Sequence, residues 1–479
     1  MSHAGSHHFY FYDYETFGQH PALDRPVQFA GVRTDDDFNP IEAPQLFYCQ
    51  PPQDYLPDPQ AVLITGITPQ QALEQGTNEA EFARQIHQVL TQPNSCILGY
   101  NSIRFDDEVT RHLFYRNFYD PYGYSWQQGN SRWDLLDVAR ACYALRPAGI
   151  EWPTTEEGIP CFKLQRLTEA NDIVHRQAHD ALSDVYATIA LAKRLRQAQP
   201  RLFNYLYHHR TKQPLASLIN IQQLTPLVHI SGMFSARKGC TSWVVPLAWH
   251  PNNQNAVIAC DLSGDIEPLL MQNVEWLQQH LFSRQEKLGE TKVVIPLKLI
   301  HLNKCPVLAP ANTLRPQDAE RLGLNRHHCL LNLKKLQKAG PRIGETVTAI
   351  FSKPPEIAWD RDVEACLYDN FFSQADRKLI QQVPSLPASQ LTTLAGRFQD
   401  ERLAPLLFRY RARNFPHTLS TQEQDNWHAH CQQRWATWPF QHQLQQLLQT
   451  YTKQPNALML LQQIVSYYNL VTEEAALTG

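Results

Sequence analysis

The sequence of 479 residues contains no apolar run near the roughly 20 residues that a membrane-spanning helix requires. Its first residues, 1–8, are rich in histidine and serine and lack the apolar centre of a secretory signal peptide. We therefore expect a cytoplasmic protein with no membrane partner. None of the ten cysteines forms a Cys-x-x-Cys pair, which argues against a zinc ribbon or a thioredoxin-like site and favours reduced, mostly buried thiols.

The sequence also has little net charge: 46 acidic and 43 basic residues give a formal charge of −3. The total hides a regional difference: residues 1–200 sum to −10, residues 201–355 to +9 and residues 356–479 to −2. A part that holds metal ions beside a part that holds an anionic polymer would produce this pattern. Domain docking or chance would produce it too, so charge alone leaves the alternatives open.

The hydrophobic pattern changes along the chain in the same three steps. Residues 1–200 alternate strand-like runs with helical periodicity, which predicts a mixed α/β sheet. After residue 200 the pattern changes: residues 226–351 carry short β-rich runs separated by glycine and proline, typical of a small β-barrel or α+β module, and from residue 362 onward the pattern is helical. The pattern predicts strands at 9–12, 27–33, 45–49, 96–100, 227–230, 242–245, 256–259 and 293–295, helices at 78–91, 106–117, 133–145 and 179–197, an amphipathic helical segment at 440–469 and a linker at 353–355.

Three acidic motifs carry the chemistry. Asp13 and Glu15 end an aromatic strand, and alternate strand residues point to the same side, so two carboxylates share one face. A hard divalent cation relieves their repulsion, although paired acids at strand ends are common without one. In the second motif, Asn101, Phe105 and Asp106 follow the predicted strand at 96–100. Helix capping explains the neighbouring acids, 107 and 108, but explains this pattern less well.

The third motif pairs His179 with Asp184. Residues five apart lie about 140° apart around a helix, so we expect His179 at or before the helix start. Its imidazole can then swing over a site to which Asp184 also points. A capping Asp180 with an incidental histidine is the alternative when this motif is taken alone.

Together these motifs resemble the DEDDh exonuclease superfamily, which has an RNase H-like fold. Longer stretches extend the resemblance to the bacterial exonuclease I family, the 3′→5′ exodeoxyribonucleases of single-stranded DNA. These stretches are residues 13–18, 20–26, 116–122, 131–137 and 410–416. The resemblance implies an α/β RNase H-like exonuclease domain at 1–200, a basic, SH3-like, β-rich domain at 201–355 that forms a DNA channel, and an α-helical domain at 356–479.

The resemblance also implies the chemistry. Asp13, Glu15, Asp106 and Asp184 would hold two Mg²⁺ ions, with Asp13 the bridging ligand and Mn²⁺ an alternative metal, since all four ligands are oxygen donors. His179 would act as the general base on the attacking water. The product would be a 5′-mononucleotide released from the 3′ end.

Other residues would bind the substrate. Arginines would contact phosphates, and aromatic rings would stack on bases without reading sequence, although such rings also serve as core. The candidates are Glu15, Thr16, Phe17, Arg111, Tyr122, Trp126, Arg140 and Lys163. In the basic region, a channel for the DNA backbone would be lined by Arg210, Lys212, Arg237, Lys238 and Lys304, which predicts processivity that falls with salt.

The resemblance implies a protein partner as well, the acidic C-terminal tail of single-stranded-DNA-binding protein. Guanidinium groups suit its terminal carboxylate, and the candidates for this pocket are Arg146, Tyr205, Arg315 and Arg326. We expect a monomer. Two other functions remain open: a DEDDh exoribonuclease or proofreading exonuclease with the same catalytic residues, and a non-catalytic scaffold that binds single-stranded DNA, whose signature would be a missing carboxylate or histidine.

Overall fold

The structure is a computed structural model that describes residues 7–175, 178–282, 293–353 and 361–478. Two compact units are present. The first comprises Met1–Ser131, His175–Ile189 and Ile357–Gly479, and the second Arg132–Val174 and Ala190–Glu356.

The strands are, in chain order, β1 His8–Thr16, β2 Pro26–Thr34, β3 Gln45–Tyr48, β4 Ser95–Gly99, β5 Ser131–Asp134, β6 Leu227–Ile230, β7 Thr241–Trp249, β8 Ala256–Asp261, β9 Leu297–His301 and β10 Val307–Pro310. The α-helices are α1 Pro59–Thr65, α2 Pro69–Gln75, α3 Glu79–Leu90, α4 Asp106–Arg116, α5 Leu135–Leu145, α6 Leu164–Ala170, α7 Ala181–Ala198, α8 Pro200–His208, α9 Lys212–Ala216, α10 Glu267–Met271, α11 Val274–Phe282, α12 Pro316–Arg321, α13 Arg326–Ala339, α14 Pro341–Ile350, α15 Gln374–Ile380, α16 Thr392–Ala395, α17 Leu403–Asn414, α18 Thr421–Ala436, α19 Gln441–Thr450 and α20 Pro455–Thr478. Within the described residues, no helix is both long and apolar enough to cross a membrane.

Four strands of the first unit form a sheet in the order β3-β2-β1-β4. Strands β2 and β3 run antiparallel to their neighbours, and β4 is parallel to β1. Alternate residues of β1 face opposite sides. Tyr10, Tyr12 and Tyr14 pack in the core with Phe82 of α3, whereas Phe9 and Phe11 lie on the face that Asp13 and Glu15 share.

The C-terminal helices of the first unit are joined to its N-terminal part by a buried ion network. Glu364 is completely buried and contacts Arg25 at 2.6 Å, Arg413 at 2.6 Å and Arg409 at 3.3 Å. Arg413 also contacts the buried Asp54 at 2.6 Å. These arginines hold the pKa values of Glu364 and Asp54 well below their usual range in spite of burial, so both acids are charged inside the protein.

The sheet of the second unit is antiparallel throughout, in the order β10-β6-β7-β8-β9. Its core includes Val244, Val257 and Ile300 from three adjacent strands. The turn that leads into β7 is closed by Gly239, whose φ of 58° is the left-handed conformation that glycine adopts without strain.

Most of the predicted elements are confirmed; some differ, among them the helix predicted at 179–197, which begins at 181. The strand predicted at 293–295 is wrong: β9 begins at 297, because Pro296 has no amide hydrogen and the Leu297 amide bonds back to the Ile295 carbonyl. The helix predicted at 133–145 begins at 135, because the carboxylate of Asp134, the last residue of β5, caps it. The segment 440–469 is two helices, α19 and α20, and most of the predicted linker lies outside the described residues.

Candidate active site

The first part of the site is the end of β1. Asp13 and Glu15 share a face, and Glu15 is 7% exposed. The pairing of β1 with β2 shifts register between Glu15 and Thr16, which ends the regular ladder beside the two acids. The strand therefore presents two carboxylates on one face at its end, as the sequence predicts, with Glu15 buried and Asp13 partly buried.

Helix α4 supplies the next carboxylate. Asp106 is its first residue, is 3% exposed and accepts a hydrogen bond from the Tyr14 amide at 3.1 Å, which places it beside β1. The next residue, Asp107, has a different role: its carboxylate accepts hydrogen bonds from the Tyr12 and Tyr124 hydroxyls in the core. The start of α4 has no side-chain cap at Phe105. Asp106 of the second motif therefore lies at the site, and the neighbouring Asp107 lies in the core.

The start of α7 brings in the third motif. The helix begins at Ala181, so His179 precedes it, as predicted, in a left-handed conformation with φ of 65°. The Asp180 carboxylate accepts a hydrogen bond from the Ser183 amide, and the Gln28 side chain accepts one from the Ala181 amide at 3.0 Å. Gln28 pairs with Glu15 across β1 and β2, so it ties the helix start to the strand that carries the acids.

These elements bring together a compact donor set. Ligand atoms of Glu15, His179 and Asp184 all lie within 4.8 Å of one another. Burial, followed by the charges of Asp106 and Glu15, raises the pKa of Asp13 well above its usual value. Burial and the charges of Asp184 and Asp106 raise the pKa of Glu15 to about 8. The negative charges of these carboxylates therefore act on one another, which raises the pKa values of Asp13 and Glu15.

The donor set fits a divalent cation. The neighbours that most raise the pKa values of Asp13 and Glu15, after burial itself, are other carboxylates. A cation bound among them would remove this repulsion, and oxygen donors suit hard divalent ions.

One histidine of the site has no counterpart in the sequence prediction. His175 Nε2 lies 2.5 Å from Asp184 Oδ1, and its side chain is only 4% exposed. Burial raises the pKa of Asp184, and this hydrogen bond acts in the opposite direction. The two residues are nine apart in sequence and His175 lies outside α7, so helical spacing does not relate them.

Around α4, the predicted substrate residues lie beside a tyrosine that the sequence did not single out. Arg111 is 6% exposed, donates to Glu108 at 3.1 Å and to the Tyr368 hydroxyl at 3.2 Å, and lies 5.6 Å from the Tyr122 ring. Tyr368 also donates to Glu108. Both of these hydrogen bonds come from Nη1 of the Arg111 guanidinium, and the ring of Trp126 is 65% exposed.

Thr16 and Phe17 follow the first motif but differ in access. Thr16 is half-buried and donates to the Gly18 carbonyl at 2.6 Å. Phe17 is completely buried in a core with Val27 and Tyr55, so its ring offers no surface to a substrate. The structure does not support base contact through that ring.

The second unit holds two further predicted substrate residues, Arg140 and Lys163. Arg140 on α5 donates to Asp137 at 2.7 Å and lies 6.0 Å from the Phe162 ring. Lys163 is exposed and immediately precedes α6.

The predicted partner residues are brought together only in part. A pocket of about 440 Å³ in the second unit is lined by Arg146 and Tyr205, and also by Arg201, which the sequence analysis missed. Burial, and to a smaller extent the positive charge of Arg315, lowers the pKa of Arg146. Arg326 is not among the lining residues and lies over the Trp243 ring at 5.2 Å.

Three family models match the chain: an exonuclease model at residues 10–192, the exonuclease I SH3-like domain at 210–353 and the exonuclease I C-terminal domain at 361–471. The chain is similar to exodeoxyribonuclease I of Escherichia coli K12, with 55% identity over 96% of this chain and 97% of that protein. The chain belongs to the exonuclease I family. Exodeoxyribonuclease I of Haemophilus influenzae Rd is 50% identical over 96% of this chain and 98% of that protein.

Solved exonuclease I structures agree along the chain. The crystal structure of E. coli exonuclease I with a dA16 oligonucleotide has a TM-score of 0.94 and 54% identity, and covers 97% of this chain and 100% of that one. A structure of SSB/exonuclease I with the inhibitor CFAM has a TM-score of 0.92 and 53% identity, and a zinc-bound E. coli ExoI–ssDNA complex has 0.92 and 54%. Each of these two covers 98% of this chain and all of its counterpart.

These similarities confirm the predicted fold class: an RNase H-like exonuclease domain, an SH3-like domain and a helical C-terminal domain. They also confirm that this member of the exonuclease I family is an exodeoxyribonuclease. The predicted boundaries at 200 and 355 fall in the intervals between the three family matches.

Proposed function

We propose that this exonuclease I family member degrades single-stranded DNA from the 3′ end, releases 5′-mononucleotides processively, and acts in DNA repair and recombination in the cytoplasm. The observation that carries the proposal is the approach of Glu15, His179 and Asp184 within 4.8 Å at the end of β1. The relatives named exodeoxyribonuclease I, and the exonuclease I structure with dA16, support the class of substrate.

The catalytic proposal assigns each group a task. Asp13, Glu15, Asp106 and Asp184 would hold two Mg²⁺ ions, with Mn²⁺ as an alternative. When bound, such ions supply an activated water and neutralise the charge that develops on the phosphate. His179 takes the proton of the attacking water, and its place before α7 keeps the imidazole beside Glu15 and Asp184.

DNA contact is proposed on both units. In the first, Trp126 offers the largest exposed ring among the predicted substrate residues, and Tyr122 and Arg111 lie together near Tyr368. Stacking on such rings holds every base, which suits an enzyme that must accept all sequences. In the second unit, exposed Lys163 is available to a phosphate.

Digestion of a 5′-labelled oligonucleotide with Mg²⁺ tests the function, with DNA and RNA of one sequence compared. We expect a ladder shortened from the 3′ end on DNA only, and its loss in Asp184→Asn. Asp37→Asn changes an exposed acid of the same type and should keep full activity. Preference for RNA would support the exoribonuclease alternative, and binding without cleavage would support the scaffold.

We also place the protein partner at the 440 Å³ pocket. Arg146 and Arg201 give it two guanidinium groups, and Tyr205 gives it an aromatic wall, which suits an acidic peptide that ends in phenylalanine and a free carboxylate. The SSB/exonuclease I structure supports this class of partner. Arg146→Ala should weaken binding of such a peptide, whereas Arg326→Ala, outside the pocket lining, should not; equal losses would contradict the location. The chain acts as a monomer in this proposal.

A further inference from the structure

His175, which belongs to none of the three sequence motifs, contacts the proposed metal ligand Asp184. Its Nε2 lies 2.5 Å from Asp184 Oδ1, and its side chain is 4% exposed. Asp184 is on the first turns of α7, and one of its carboxylate oxygens lies within 4.8 Å of ligand atoms of Glu15 and His179. The Asp184 carboxylate therefore contacts the buried imidazole of His175 and also lies beside Glu15 and His179.

We propose that His175 is a positioning residue that orients the Asp184 carboxylate for metal binding. This inference rests on the proposed function. A carboxylate on a helix rotates about its side-chain bonds, and a hydrogen bond to one oxygen removes that freedom before a cation arrives. The short contact and the burial of His175 supply such a restraint, and the ring does not need to touch DNA, water or metal.

A purely structural role would have a different signature. A buried histidine that only fills space can be replaced with a loss of stability and no specific change in metal affinity. A positioning histidine acts through the donated hydrogen bond, so an amide that donates from a similar distance should restore the effect. Glutamine provides this, because its Nε2 can take the place of the imidazole Nε2.

The experiment measures Mn²⁺ binding to the full chain by calorimetry without DNA, beside DNA cleavage and thermal unfolding. We expect His175→Ala to raise the Mn²⁺ dissociation constant about 10- to 100-fold and to lower kcat with KM for DNA unchanged. His175→Gln should restore Mn²⁺ affinity to within about 3-fold of the starting protein, on the same reasoning. His87→Ala, which removes a half-buried histidine stacked on Tyr119, is the matched control and should keep wild-type Mn²⁺ affinity.

Unchanged Mn²⁺ affinity in His175→Ala would overturn the proposal. Tighter binding in that variant would overturn it too, because His175 would then compete with the metal for Asp184. Equal losses in the alanine and glutamine variants would show that the ring, not the hydrogen bond, matters. Failure of the proposed function is distinguishable, since a chain that binds Mn²⁺ but leaves DNA intact refutes the nuclease while the His175 comparison still stands.

Discussion

The buried ion network leads to a sharp prediction about stability. Glu364 is completely buried, and Arg25, Arg413 and Arg409 contact its carboxylate at 2.6, 2.6 and 3.3 Å. Glu364→Gln keeps the shape of the side chain and removes its charge. The arginines then keep their positive charges inside the protein with one negative charge fewer, which lowers the free energy of unfolding.

The expected size follows from the geometry. Removing one partner of a buried ion pair costs about 3–5 kcal/mol, because the remaining charge is left uncompensated. For domains of 150–250 residues, 1 kcal/mol corresponds to roughly 2–4 °C in Tm. We therefore expect Glu364→Gln to lower the Tm of the first unit by roughly 6–20 °C.

Thermal unfolding followed by tryptophan fluorescence provides the measurement. Glu81→Gln is the matched control, since Glu81 pairs with Arg84 at 2.6 Å on the same unit, with 38% and 54% of the two side chains exposed. An exposed pair contributes about 0.2–1 kcal/mol, so the control should lose at most roughly 4 °C.

Equal Tm losses in Glu364→Gln and Glu81→Gln would refute the reasoning. The double variant Glu364→Gln/Arg25→Met provides a second check. It removes a cation together with the acid, so its destabilisation should be smaller than the sum of the two single changes. A double variant that loses the full sum would show that the residues act independently.

Three further predictions concern pH, base stacking and metal. The arginines depress the pKa values of Glu364 and Asp54 in the folded state. The two carboxylates therefore stabilise the fold fully above their unfolded-state pKa values, near 4, and this stabilisation is lost as pH falls through their folded-state pKa values. Tm should accordingly fall less steeply below about pH 4.5 in Glu364→Gln than in the wild type. Trp126→Ala should weaken single-stranded DNA binding about 5- to 150-fold in fluorescence anisotropy with Tm unchanged, because the ring is 65% exposed. Saturating Mg²⁺ should raise Tm, and Asp184→Asn should lose this increase, since the ion binds only the folded site.

Much of the fold follows from local pattern. The aromatic run of β1 and the helical spacing in α3 bury the same residues that the sequence marks as apolar, including Tyr10 and Phe82. Predictions failed where a single backbone group decided the outcome. Pro296 lacks a donor and delays β9, and a carboxylate cap starts α5 two residues later than its periodicity suggests.

The site was predictable to the extent that it lies at ends of regular elements. Asp13, Glu15 and Asp106 stand at the end of a strand and the start of a helix, positions that the sequence places well. His175 and Tyr368 were missed for the opposite reason. Both lie in irregular segments, and Tyr368 reaches Glu108 across more than 250 residues of sequence.

The acidic residues of 1–200 fall into two groups that the sequence does not distinguish: acids paired with arginines and acids that lie beside other acids. Asp54 is part of that charge, yet Arg413, from the far end of the chain, contacts it at 2.6 Å and lowers its pKa. Asp13 and Glu15 are also part of it, but burial beside other carboxylates raises their pKa values. Both sets of acids are desolvated, so the sign of the neighbouring charge decides which acids stabilise the fold and which attract a cation. The regional net charge is therefore a sum over acids in two opposite electrostatic environments, and only the acids that lie beside other carboxylates belong to the candidate site.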